Sequence, residues 1–187
     1  MKNIQITQWL THFMIQQVKP GDLCIDATMG NGNDTLTLSR LCKNNGQVLA
    51  FDIQQEALER TRVLLEEKSE FSNYRLILDS HEHMGKYAEK ESVSCIVFNF
   101  GYLPGGNHQL STTSKSSLKA LEESLLLLKK EGLLCLCIYS GKDTGFQERE
   151  AILKWLKELD PRKYLVICCE YYNRANHPPL PVLVIKL

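Results

Sequence analysis

At 187 residues, 43% hydrophobic and 24% charged, the chain is long enough for one domain with a substantial core and ordinary in composition for a soluble globular protein. No apolar run approaches the roughly 20 residues of a membrane span, and Met1 to Gln17 lacks the uninterrupted apolar centre of a signal peptide, so a cytoplasmic location is expected. The formal net charge is zero, which gives no compositional argument for a nucleic-acid partner and leaves only a local basic patch as a way to hold one.

Ile4, Ile6, Leu10, Phe13, Met14 and Val18 fall near helical spacing and stop before Pro20-Gly21. Leu23 to Ala27 reads as a short strand, followed by a Gly/Asn-rich turn and a helix from Asp34 to Cys42. Val48 to Ile53 is a second strand. The helix after it, Gln55 to Lys68, carries Ala57, Leu58, Thr61, Leu64 and Leu65 on one face. Arg75 to Leu78 and Cys95 to Phe100 are the third and fourth strands. Leu118, Leu121, Leu125 and Leu128 mark a helix ending at Gly132, before a fifth strand from Leu133 to Tyr139. A helix from Phe146 to Leu159 stops at Pro161. Tyr164 to Tyr171 and Val182 to Leu187 close the chain as strands, with the Asn/Pro-rich stretch Asn173 to Pro181 between them.

Strands alternating with helices imply right-handed crossovers and a doubly wound sheet. The last connection is too short for a crossover helix, so the closing strands should be antiparallel neighbours. The expected fold is α/β: a Rossmann-like, seven-stranded, mostly parallel sheet with an antiparallel last strand and helices on both faces, as one domain over residues 1–187. The seven cysteines are odd in number and lack a Cys-x-x-Cys; they read as small buried hydrophobes rather than disulfides or metal ligands.

A strand ending in an acid, then a glycine turn, then a helix is a ligand site, because glycine lets backbone approach the ligand and helix-start N–H groups point at it. Here the elements are Asp26, Gly30, Gly32 and a helix starting near Asp34 and Thr35. Asp52 ends the next strand about 20 residues beyond Gly32, where a carboxylate accepts from ribose hydroxyls. Thr35 stands where a dinucleotide fingerprint has its third glycine. Asp34 puts negative charge where a pyrophosphate would sit, although it can also serve as a helix cap. Two acids in the loop favour S-adenosylmethionine, which carries a sulfonium and an ammonium and no phosphate. Asp79-Ser80-His81 follows the third strand on the same sheet edge, beside the expected adenine position. A nicotinamide-dependent oxidoreductase fits less well, given the missing glycine and the antiparallel ending.

The stretches Asp26-Ala-Thr-Met-Gly-Asn-Gly-Asn-Asp-Thr35, Ala50-Phe-Asp-Ile-Gln54, Asp79-Ser-His81 and Phe98-Asn-Phe-Gly-Tyr-Leu-Pro-Gly-Gly-Asn-His108 together resemble a small bacterial methyltransferase family long labelled rRNA methylases. The resemblance runs nearly end to end and includes Asn176-His-Pro-Pro-Leu180. It implies N-methylation of the aminomethyl group of 5-aminomethyl-(2-thio)uridine at the tRNA wobble position. The cofactor set it implies is Asp26, Thr28, Gly30, Asn31, Gly32, Asn33, Asp34, Asp52, Gln54, Asp79, Ser80, His81 and Asn99. A methyltransferase acting on rRNA or a small amine, and a non-catalytic cofactor-binding protein, are the competing readings.

Methyl transfer from a sulfonium is an in-line displacement, so the enzyme mainly aligns its reactants, and the amine must attack as the neutral base. Asn99, Tyr102 and His108 are the candidate catalytic residues. By analogy with amino-methylating enzymes, the Asn99 carbonyl would accept from the amine and Tyr102 would stack on the base or shape the methyl channel; His81, His83 and His108 are candidate proton acceptors, with His108 the better placed. His81 and His83 read as alternate residues of an extended segment, supplying two ligands at most, so no metal is expected. Lys115, Lys119, Lys129, Lys130, Lys142, Arg149 and Arg174 are candidates for a basic rim against the anticodon arm of tRNA. A homodimer would give so small a chain more surface for that grip.

Overall fold

The computed structural model describes residues 6–100, 114–140, 145–175 and 178–187. Five helices are named here as α1 (Ile6–Gln17), α2 (Asn33–Cys42), α3 (Gln55–Lys68), α4 (Ser114–Leu127) and α5 (Gly145–Glu158). The strands are β1 (Leu23–Asp26), β2 (Gln47–Asp52), β3 (Tyr74–Leu78), β4 (Val93–Phe100), β5 (Leu128–Ile138), β6 (Tyr164–Cys168) and β7 (Leu180–Lys186). They form one sheet in the order β3-β2-β1-β4-β5-β7-β6, in which β7 runs antiparallel to both of its neighbours. The expected architecture is therefore observed, and the last strand inserts between β5 and β6.

Strands covered on both faces read as continuous apolar runs, and β4 shows this: Val93 through Phe98 are all buried. Ile96, Phe98 and Phe100 of β4 and Leu134 and Leu136 of β5 pack against Ala120 and Leu121 of α4 and Ile152 and Leu156 of α5. On the other face, Cys95, Val97, Cys135 and Cys137 pack under Leu10 and Met14 of α1 and Leu38 of α2. Helix α3 closes a smaller cluster through Leu58, Ala50 and Met29. All seven thiols are free, and five of the cysteines are buried as expected. Cys168 is exposed and Cys169 partly so, because they end the edge strand β6. Among the described residues no helix is long and apolar enough to cross a membrane.

β6 ends at Cys168, short of the Tyr171 expected, and two further differences from the sequence reading have local causes. The leucine periodicity of α4 runs on through Leu128, yet Leu128 already pairs with Val93 as the first residue of β5. The register then shifts before Cys95 pairs with Leu133. This bulge puts Glu131 at φ 63° and packs Gly132 so closely that a Cβ there would lie 2.7 Å from the Lys129 carbonyl oxygen and 3.1 Å from that of Val93. The second difference is a 3₁₀ turn, His81–Lys86, where an extended segment was expected. Ser80 starts it by accepting the Glu82 N–H at 3.3 Å on its hydroxyl.

The bulge distinguishes two adjacent positions. Gly132→Ala should cost about 1–3 kcal/mol through overpacking. Glu131→Gly should leave stability within about 0.5 kcal/mol, since relief of the left-handed conformation offsets the added chain entropy. Urea unfolding midpoints of the two variants check both values.

Candidate active site

Parallel strands deliver their carboxyl ends to one edge of the sheet, and the loop leaving β1 at that edge is organised by Asp26. Its side chain has no exposed surface. The Thr35 hydroxyl donates to Asp26 Oδ2 at 2.6 Å and the Thr28 N–H to Oδ1 at 3.2 Å. Thr35, at the place of the absent third glycine, thus supplies a bond that glycine could not. Gly32 precedes α2 at φ 79°, and a Cβ on it would lie 2.9 Å from Thr61 Cγ2 and 3.1 Å from Thr61 Cα. Both conformation and space demand glycine there. Asn31 turns outward and accepts from Arg60 Nη1 at 3.2 Å, and Asn33 is exposed as the first residue of α2.

Asp52 ends β2 and joins this loop to the next. The Gly30 N–H donates to its Oδ2 at 3.1 Å, and the Gln54 N–H to its Oδ1 at 3.0 Å. Thr61 Oγ1 donates to the Gly30 carbonyl at 3.1 Å, so α3 holds the glycine turn from beneath. The Ile53 N–H also hydrogen-bonds this carboxylate, and the two oxygens together keep accepting capacity beyond these bonds.

Beyond β3, Asp79 forms a clamp. His83 Nδ1 donates to its Oδ1 at 2.7 Å, Tyr87 to its Oδ2 at 3.0 Å, and the Ser80 N–H to Oδ1 at 2.7 Å. Oδ2 therefore carries the remaining capacity for a ligand. His81 points the other way: its Nδ1 lies 3.2 Å from the Ala27 carbonyl oxygen, and since a carbonyl only accepts, that nitrogen carries the proton. The two histidines have separate partners, and among the described residues no group of three metal-ligating side chains is assembled.

Asn99, near the end of β4, bridges back to the first loop. Its N–H donates to Thr28 Oγ1 and its side-chain Nδ2 to Asp34 Oδ2, both at 2.7 Å. Asp34 is the second residue of α2, and Gly32 holds the cap position, so the acid serves Asn99 rather than capping the helix. Tyr102, His108, Lys142, Asn176 and His177 lie outside the described residues, as does Ile4.

The electrostatics of the edge are unusual for an acid cluster. Burial, with the neighbouring Asp34 charge, raises Asp26 from 3.8 to about 7. Burial also raises Asp34, against the lowering effect of Asn99, and raises Asp52 against its backbone hydrogen bonds. Asp79 is drawn down to about 2, chiefly by His83. Burial lowers His81 and keeps it neutral. No ion pair neutralises Asp26, Asp34 or Asp52 among the described residues. A small cation with neighbouring hydroxyls is the ligand chemistry that suits these donors, and S-adenosylmethionine has it.

A second cavity on this half of the molecule, about 240 Å³, is lined by Arg149, Glu170, Tyr171, Arg174, Ala175, Pro178, Pro179 and Leu180. Leu180 pairs with Ile138 one row beyond Cys137, the partner of Asn99, which puts this cavity on the same sheet edge. A larger one, about 440 Å³, lies at the opposite edge beside Gly46, Gln47 and Tyr74 and is remote from the acids. Sequence reasoning missed the supporting roles of Thr35, Thr61 and Tyr87. Only Thr61 gave a signal, as a polar residue on the apolar face of α3.

The family described as "Putative rRNA methylase" matches residues 48–185. A chloroplastic tRNA (mnm(5)s(2)U34)-methyltransferase of Arabidopsis thaliana is 37% identical over 178 residues, which is 90% of this chain; the chain spans 64% of that relative's length. The crystal structure of a protein from Clostridium thermocellum described as a "putative rRNA-methylase" superposes with a TM-score of 0.95 at 37% identity and covers 100% of both chains. A Streptococcus mutans protein described as a "putative methyltransferase", solved in complex with SAH, gives 0.89 at 36% identity, covering 99% of both.

The raised acids make stability pH-dependent. Asp26 binds its proton more tightly in the folded chain than in the unfolded one, so its contribution is complete below pH 3.8 and is lost as pH rises through about 7. The melting temperature of the protein without ligand should fall across that interval. Asp26→Asn should flatten the fall, as differential scanning calorimetry between pH 5 and 8 would record.

Proposed function

The chain belongs to the rRNA methylase family of S-adenosylmethionine-dependent methyltransferases, and from that premise we propose that it methylates the aminomethyl nitrogen of 5-aminomethyl-(2-thio)uridine at the tRNA wobble position. The observation that carries this reading is the side-chain amide of Asn99, held at the end of β4 against an acid-lined loop. An amide carbonyl there accepts from an amine and directs its lone pair. The activity for which the Arabidopsis relative is named supports the choice of substrate.

Bound in this site, the cofactor supplies an electrophilic methyl group on a sulfonium. Asp52 accepts from the ribose hydroxyls with the capacity that Gly30 and Gln54 leave. The turn Gly30-Asn31-Gly32 gives close backbone approach, and Asp34 faces the cationic methionine portion. Asp79 Oδ2 accepts from the exocyclic amine of adenine, with the carboxylate kept ionised by His83 and Tyr87. Asp26 and Thr28 act through the loop that they order. Tyr102 and His108 complete the reading as base-stacking residue and proton acceptor. Asn31, Asn33, Gln54, Ser80 and His81 line the same turns, and Arg149 and Arg174 provide the phosphate contacts that seat the RNA.

Two outcomes are expected. Asp52→Ala should weaken cofactor binding about 10- to 100-fold, the loss of charge-assisted hydrogen bonds, measured by calorimetry. Purified protein with cofactor should convert the aminomethyl nucleoside to its methylaminomethyl form in tRNA lacking the methyl group, as nucleoside mass spectrometry would detect. Unchanged tRNA alongside methylated rRNA or a methylated small amine would overturn the wobble-uridine assignment.

A further inference from the structure

The two ends of an asparagine amide are alike in size and opposite in hydrogen-bonding sense. Only one end serves a methyl-accepting amine: the carbonyl, which accepts an N–H and aims the nitrogen lone pair. Nothing in Asn99 itself selects that end. The contact at 2.7 Å between its Nδ2 and Asp34 Oδ2 does, because an ionised carboxylate accepts and cannot donate. With the NH₂ end committed to Asp34 and the backbone N–H held by Thr28 Oγ1 at 2.7 Å, Oδ1 is the group left to face the amine.

We propose that Asp34 is a positioning residue, whose carboxylate sets the orientation of the Asn99 side-chain amide so that its carbonyl meets the amine. The proposal rests on the reading of Asn99 as the amine-binding residue and adds a task for Asp34 beyond attracting the cofactor's cations. A protonated acid, or an asparagine in its place, donates as well as accepts. It lets the Asn99 amide turn over and present N–H groups to a nitrogen that must itself donate. The groups whose charges face Asp34 are Asp26 on β1, Cys95 on β4, Cys137 on β5 and Tyr139 just beyond it. The hydrogen bond with Cys135 and burial raise Cys95, and burial raises Cys137 and Tyr139, so among the described residues Asp26 is the acid that competes with Asp34 for ionisation.

A double-mutant cycle tests the inference, with single-turnover methyl transfer measured at saturating cofactor so that binding losses drop out. Asn99→Ala should slow transfer about 100-fold, the scale of one directed hydrogen bond at a reacting group. Asp34→Asn should slow it about 10-fold, and the double variant should be no slower than Asn99→Ala alone. Asp34→Asn should fold, since burial already favours the uncharged acid at that position.

Multiplicative losses, or an Asp34→Asn effect confined to cofactor affinity, would overturn the proposal. Carbon-13 NMR titration of the Asp34 carboxyl needs no substrate and separates this inference from the choice of tRNA. Removing Asn99 should move that titration to higher pH, and an unmoved titration would also overturn the proposal. Should the wild-type protein leave tRNA unmethylated while the titration moves, the substrate assignment fails and the Asp34–Asn99 linkage stands.

Discussion

Everything at this sheet edge depends on the interior placement of the Asp26 carboxylate. A buried acid must be hydrogen-bonded or neutral, and Asp26 draws its bonds from the loop that follows it, through the Thr28 N–H and the Thr35 hydroxyl. Those bonds fix Thr28, whose own hydroxyl accepts the Asn99 N–H. Asn99 returns to the starting element by donating to Asp34 on α2. The circuit Asp26–Thr28–Asn99–Asp34 thereby joins the cofactor loop to the end of β4. On the proposed function, cofactor and amine would share one frame, which suits a displacement whose rate depends on alignment.

Topology makes that circuit short. β1 lies between β2 and β4, so the chain reverses its direction of winding on either side of it, and crevices in open α/β sheets open at such a point. Asp26 pairs with Ala50 on one side and Val97 on the other. Asp52 and Asn99 then each extend two residues beyond Asp26 at the same edge. The antiparallel β7 carries the short β6–β7 connection to this edge as well, where Arg174 and the prolines line one cavity with Arg149 of α5.

Sequence reasoning located the strands because each is an apolar run bounded by turn residues, and it singled out the glycine turn after β1 because glycine spacing and acids at strand ends survive as local signals. It misjudged what depends on contacts between distant residues. Leu128 continues the leucine period of α4, and only pairing with Val93 makes it a strand residue. His81 and His83 alternate like strand residues, but capping by Ser80 coils them. Asp79 reads as a ligand acid on position alone; its bonds to His83 and Tyr87 belong to the folded turn. Thr35 is a missing glycine in the sequence and the anchor of Asp26 in the structure. The Asp34–Asn99 contact joins residues 65 positions apart and has no local signature.

A neutral chain that gathers acids beside an RNA substrate of the proposed kind faces an electrostatic conflict, since carboxylates that welcome a sulfonium also repel phosphate. Burial eases it. With Asp26 raised to about 7 and Asp34 and Asp52 raised as well, the edge carries less negative charge before the cofactor arrives than its composition suggests. A bound cation favours the ionised acids, so their charge develops where a positive partner already balances it. On the proposed reading, an incoming polyanion meets carboxylates balanced in part by the bound cation, with Arg149 and Arg174 lining a cavity at the same edge. Ionisation of Asp34 also fixes the NH₂ end of Asn99. In the proposed reaction, cofactor binding would thus favour the orientation of Asn99 that presents its carbonyl to the amine.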